Sequence, residues 1–178
     1  DISHGLKGRP NGSPTRTPYC AGAEASINRK GISRKDDKMT PDAPMTAQDA
    51  LAALMVAVSA SDETIRTAEL VKMSNSINNL PVFAEYDAER LPRVSKMVFE
   101  LLEQEDGLEA LFGLIRDALP ERLFETAYAL SCDVAAADGA IDGAEARMLE
   151  EIRYELEIDR LHAAAIERGS RARHMTLS

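Results

Sequence analysis

The chain has 178 residues, enough for one domain with a sizeable core but not comfortably for two. It is 44% hydrophobic yet only 4% aromatic and lacks tryptophan, so its core must be built from Leu, Ile, Val, Met and Ala, a composition that suits helices on helices better than a β-sandwich. The net charge of −9 is uneven: residues 1–38 carry eight Lys/Arg against four Asp/Glu, while the remainder carries 13 against 26, which argues against nucleic acid as the main partner.

Residues 1–44 hold five prolines, several glycines and no apolar period. Such a stretch buries too little surface to offset its ordering entropy, so a disordered tail is expected there. The chain begins with Asp1, while Met39 and Met45 precede the first periodic segment; the tail can therefore lie upstream of the true start. From residue 45 to 178 a helical domain is expected.

Thr46 followed by Asp49 reads as an N-cap with an acidic third residue, and Leu51, Leu54, Met55 and Val58 mark one face of a first helix. After a break at Ser61-Asp62-Glu63, Leu70, Met73, Ile77 and Leu80 mark a second, stopped by Asn78-Asn79 and Pro81. A third helix starts between Tyr86 and Leu91, with Pro92 tolerated in its first turn, and carries Val94, Met97, Val98, Leu101 and Leu102. Asp106-Gly107 ends it. Leu108, Leu111, Phe112, Ile115 and Leu119 make a fourth, and Leu123, Phe124, Ala127, Tyr128, Leu130 and Val134 a fifth after Pro120. A second acidic break leads to a sixth with Met148, Leu149, Ile152 and Leu156. Asp159 caps a seventh with Leu161, Ala165 and Ile166, ending near Gly169. No stretch alternates with period two. The expectation is all-α: a single compact bundle of about seven helices with two pseudo-symmetric helix–break–helix halves.

The halves are inferred from a repeat. Asp138-Gly139-Ala140-Ile141-Asp142-Gly143-Ala144-Glu145 has a worn copy in Asp62-Glu63-Thr64-Ile65-Arg66-Thr67-Ala68-Glu69, every position 76 residues earlier. The flanks keep the same offset, Val58 with Val134, Met73 with Leu149, and Leu80 with Leu156. The later copy looks like the second half of an EF-hand loop, with Asp138, Gly139, Ile141, Asp142 and Glu145 at positions five, six, eight, nine and twelve. The first half is missing from both copies, because the first and third positions fall on Val134 and Ala136, or on Val58 and Ala60. A helix running through the start of the loop is expected instead. Asp142 and Glu145 also form an N-cap and third-residue pair of capping-box type, and Asp-Gly is an ordinary turn, so a purely structural role is open on the same residues.

Asp138-Gly139-x-Ile141-x-x-x-Glu145 after Val134-Ala135-Ala136-Ala137, with Asp62-x-x-Ile65-x-x-x-Glu69 upstream, resembles the tellurite-resistance TerB family. It is similar as well to the TerB-like N-terminal domain of the co-chaperone DjlA. The similarity covers roughly residues 46–170. The resemblance implies an all-helical domain with two related halves, a metal-binding or acidic site at these motifs, and no catalytic reaction. Carried over by position, the site residues are Asp62, Glu69, Asp138 and Glu145, and the implied cofactor is a divalent cation of unspecified identity. The physical warrant is that hard cations take several carboxylate oxygens, and that four carboxylates held together without compensation repel. The first copy departs from the family pattern at Glu63 and Arg66, and the Arg66 cation can take the compensating role itself.

Other chemistry has little support. His4, His162 and His174 have no zinc spacing, and Cys132 on an apolar face reads as a buried structural thiol. Metal-assisted hydrolysis would need a distinct base and a cleft, which no motif supplies, so a non-enzyme is expected. The two cysteines, Cys20 and Cys132, lack metal spacing, no apolar run reaches the length of a membrane span, and no signal peptide is visible. A cytoplasmic protein is expected, with protein partners and compatible with peripheral attachment to a membrane complex. The functional expectation is a stress-response module for tellurite, metal or envelope stress that works by interaction or metal sensing. The alternative is a co-chaperone-like docking domain whose acidic helix caps are purely structural.

Overall fold

The computed structural model describes residues 44–61, 67–137, 141 and 143–177, all within one compact unit, Thr40–Ser178. The expected tail and the central residues of both acidic breaks, Asp62 and Asp138 included, lie outside the described residues. Seven α-helices appear among the described residues: α1 (Ala47–Ser59), α2 (Thr67–Asn79), α3 (Leu91–Leu102), α4 (Gly107–Ala118), α5 (Phe124–Ala135), α6 (Gly143–Glu155) and α7 (Arg160–Arg173). Short 3-10 turns occupy Pro81–Phe83, Ala88–Arg90 and Glu121–Leu123. The chain is all-α, as its periodicity predicts.

α1 is the centre of the bundle. Every residue from Asp49 to Ser59 is buried, not one face alone. The reason is in the sequence, where Ala50 to Val58 is apolar without a break; a helix apolar all round must be enclosed. α5 packs along it, α3 and α4 cover another side, and α2 and α6 complete the enclosure. The small side chains of Ala50, Ala52, Ala53 and Ala57 let these neighbours approach closely. The helix starts in a capping box, with Thr46 Oγ1 accepting from Asp49 N at 3.1 Å and the Asp49 carboxylate accepting from Thr46 N at 2.9 Å.

Several core assignments shift. Leu70, Leu80 and Leu161, expected on buried faces, are 49%, 39% and 76% exposed. In α2 the buried stripe is Glu69, Met73, Ser76 and Ile77, which is spaced i, i+4, i+7, i+8 and turns Leu70 outward. In α7 the buried residues are Ala163 and Ser170, Ala165 lies exposed, and the helix continues past Gly169 to Arg173. Asp159 caps α7 as expected, accepting from Leu161 N at 2.8 Å and from His162 N at 3.3 Å.

α6 closes without the glycine that a left-handed C-cap favours. Glu157 has φ 49°, Ile158 N donates to Arg153 O at 3.0 Å, and Glu157 N donates to Tyr154 O at 3.0 Å, the bonds of a Schellman turn. A side chain in this conformation costs about 1 kcal/mol, so Glu157→Gly is expected to stabilise the fold by up to that amount in urea unfolding. An unchanged or lowered midpoint would mean that the Glu157 side chain contributes more than its backbone costs.

Candidate functional site

The repeat offset survives in the helix bounds. α2 and α6 each have 13 residues, and both their first and last residues are 76 apart; α1 and α5 also end 76 apart, at Ser59 and Ala135. Val58 and Val134, where a calcium loop would have begun, are fully buried inside α1 and α5. The helix therefore runs through the first missing-ligand position in both copies and reaches its C-cap at the second, Ala60 or Ala136.

Glu69 is the third residue of α2 and Glu145 the third residue of α6, and both are 1% exposed. Neither is an incidental burial. Glu69 opens the stripe that continues with Met73, Ser76 and Ile77, and Glu145 opens the one that continues with Leu149 and Ile152. Each carboxylate thus occupies the first core position of its helix. Both helices pack on the same central pair, α1 and α5. A carboxylate at the third position meets the unsatisfied N–H groups and positive end of its own helix, which favours its charged form. Burying an anion still costs several kcal/mol unless charge and hydrogen bonds compensate it.

Of the four residues carried by the sequence motif, the structure describes these two; Asp62 and Asp138 lie outside the described residues, as do Arg66 and Asp142. Among the described residues no group of three or more His, Cys, Asp or Glu is placed to hold a metal ion. The donor chemistry of Glu69 and Glu145 is that of hard oxygen ligands, which fits calcium or magnesium and not a thiolate or imidazole metal.

Two further ionic clusters escaped the sequence reading. Asp49 accepts from Arg90 Nε at 3.0 Å, from Arg90 Nη2 at 2.5 Å and from Tyr86 Oη at 3.1 Å, besides its Thr46 bonds. Burial pushes its carboxyl up, but Arg90 and Thr46 outweigh that and hold it below its ordinary value of 3.8. Tyr86, buried beside that carboxylate, is pushed well above the ordinary phenol range. Asp133 of α5 takes Arg173 of α7 at 2.6 Å and Lys72 of α2 at 3.7 Å, so three helices meet at one carboxylate. Burial raises Asp133, and the Arg173 bond with the Lys72 charge more than reverses it. The only sequence trace of either cluster is an acidic residue beside an apolar run, since the partners from other helices and turns lie 37 to 61 residues away.

Cys132 is 1% exposed, and burial, aided by the Glu167 charge, pushes its thiol up to about 12. It remains a protonated thiol and not a nucleophile. His162 is on the surface and meets Glu125 at 2.7 Å, with no relation to Cys132. No helix among the described residues is long and apolar enough to cross a membrane.

Fold and site together define a class: an all-helical domain built on a buried central helix pair, with two 13-residue helices that each carry a buried glutamate as third residue. The family model described as tellurite resistance protein TerB matches residues 48–168. The chain belongs to the TerB family. Comparisons with curated proteins and with solved structures give no significant match.

Proposed function

We propose that this chain is a non-enzymatic, cytoplasmic stress-response module of the tellurite-resistance type, acting through protein partners, with a divalent-cation site at its two acidic helix starts. The observation that carries this reading is the pair Glu69 and Glu145, each 1% exposed and each the first core residue of a 13-residue helix on α1 and α5. Both carboxylates have partners within the fold, and a hard cation would add to the compensation for their burial. Asp62 and Asp138, within the same motifs, would add donors to the set. A bound cation would supply positive charge to these carboxylates. The chain's own part is to bury the acids and to link their helices to the central pair, so that loading sets the order of α2 and α6 and of the surface they present.

A cation that binds only the folded state stabilises it by about 2.7 kcal/mol at a hundredfold excess over its dissociation constant. Thermal unfolding with Ca²⁺, Mg²⁺, Mn²⁺ or Zn²⁺ should therefore raise Tm in a saturable way, and Glu69→Gln and Glu145→Gln should each reduce the rise. The same wild-type Tm with every cation, with both variants merely less stable, would leave the acids as caps only. The docking alternative would then stand. Leu70 and Val71, 49% and 54% exposed on α2 beside buried Glu69, are what favours it.

A further inference from the structure

α6 and α7 both pack on α5, and a cavity of about 370 Å³ opens between them. One face of α6 forms a wall, Ala146, Leu149, Glu150 and Arg153, spaced i, i+3, i+4, i+7. Glu167 and Arg171, one turn apart on α7, form the opposite wall, and Tyr128 of α5 reaches the floor. Tyr128 is 1% exposed, and its hydroxyl donates to Glu167 Oε1 at 2.7 Å. Burial, and then that bond, holds the phenol well above its ordinary range, so it stays a donor and keeps Glu167 directed to the floor.

Each wall carries one carboxylate and one guanidinium, Glu150 with Arg153 and Glu167 with Arg171, but they are not closely paired. Glu167 is engaged by Tyr128, and the Glu150 side chain is 75% exposed, touching Arg153 only at 4.0 Å. The Arg153 side chain is itself only 23% exposed, and Arg171 makes no ion pair among the described residues. A guanidinium therefore stands on each wall, with donor capacity that the surrounding carboxylates do not use. Planar guanidinium groups recognise carboxylate and phosphate oxygens through paired N–H donors. Beside them Ile141, 38% exposed, and the exposed Ala146 offer apolar surface. The volume is at the small end of ligand cavities, which run from roughly 300 to 1,000 Å³.

We infer that this cleft binds a small organic anion, its oxyanion headgroup between Arg153 and Arg171 and its apolar body against Ile141 and Ala146. Neither Glu69 nor Glu145 lines the cavity. Calorimetric titration of the full chain with sodium octanoate, octyl phosphate and inorganic phosphate tests it. A tailed anion should bind saturably and at least tenfold more tightly than inorganic phosphate; which of the two binds better identifies the headgroup. Arg153→Gln and Arg171→Gln should each weaken binding at least tenfold. Ala146→Phe, an exposed position on the wall, should abolish binding while leaving the unliganded Tm unchanged. The inference is overturned if neither tailed anion binds at millimolar concentration, if inorganic phosphate binds as tightly, or if the Arg171→Gln or Ala146→Phe protein binds like the wild type.

Discussion

Arg90→Met is expected to destabilise the fold by about 3 kcal/mol, because it strands a buried carboxylate at the start of the central helix. The Asp49 side chain is 4% exposed and that of Arg90 17%. The guanidinium supplies two of the five hydrogen bonds that Asp49 accepts and the only one of its hydrogen-bonding partners that is charged; Tyr86 and Thr46 remain, but neither is a cation. The loss must depend on pH in a definite direction. The folded-state carboxyl is held below its ordinary value of 3.8, so the unfolded chain binds the proton more readily and stability rises with pH through that window. The stabilisation is complete above the unfolded value and fades as pH falls through the folded one. Urea unfolding should therefore show the full Arg90→Met deficit at pH 7 and a smaller one near pH 3. Asp49→Asn combined with Arg90→Met should recover part of it, since no charge is then left buried. Equal deficits at both pH values would show that Arg90 acts by packing and not by charge.

The second large effect is expected at Gly107. It is buried, it is the first residue of α4, and its N–H closes the turn from α3 by donating to Gln104 O at 3.1 Å. A Cβ there would lie 1.6 Å from Leu101 O and 2.5 Å from Leu101 C. Both are backbone atoms, so no rotamer change relieves the clash; the hairpin of α3 and α4 would have to open over the core of α1. Gly107→Ala should cost about 3 kcal/mol or more, at the upper end of overpacking effects. Gly113 is the internal control. It lies in the same helix with nothing within 4 Å of its Cβ position, so Gly113→Ala should stabilise by roughly 0.5–1 kcal/mol through helix propensity. Opposite shifts in the urea midpoint are the expected result; two losses, or two neutral changes, would contradict the contact geometry.

These two positions also show where a sequence stops being readable. Asp106-Gly107 was legible as a break because glycine and aspartate disfavour helix interiors. That a backbone carbonyl six residues earlier leaves no room for a methyl group was not, since it depends on the angle of the hairpin. All seven helices were legible from apolar spacing, which directly records which face is buried. Which face wins was less legible in α2, where the expected stripe of Leu70, Met73, Ile77 and Leu80 shares only Met73 and Ile77 with the buried one, which adds Glu69 and Ser76. Tertiary packing on α1 and α5 chose the stripe that begins with Glu69. The Asp49–Arg90 pair was invisible for a related reason: contact across 41 residues leaves no local pattern.

Each acidic motif leads into a helix, α2 from Thr67 and α6 from Gly143, as expected, while the central residues of both breaks lie outside the described residues. The chemical significance of the motif came only from the burial. A glutamate at the third position of a helix is ordinary capping chemistry when exposed, and costly when enclosed by α1 and α5. The repeat places such a residue twice, at the same step of two equal helices.

Equilibrium dialysis of the purified chain against Ca²⁺, Mg²⁺, Mn²⁺ and Zn²⁺, with retained metal measured by atomic emission, tests that claim most directly. A hard cation should be retained stoichiometrically, and Glu69→Gln with Glu145→Gln should release it while the helical circular dichroism is preserved. A fully helical wild-type protein that retains none of the four cations would contradict the claim.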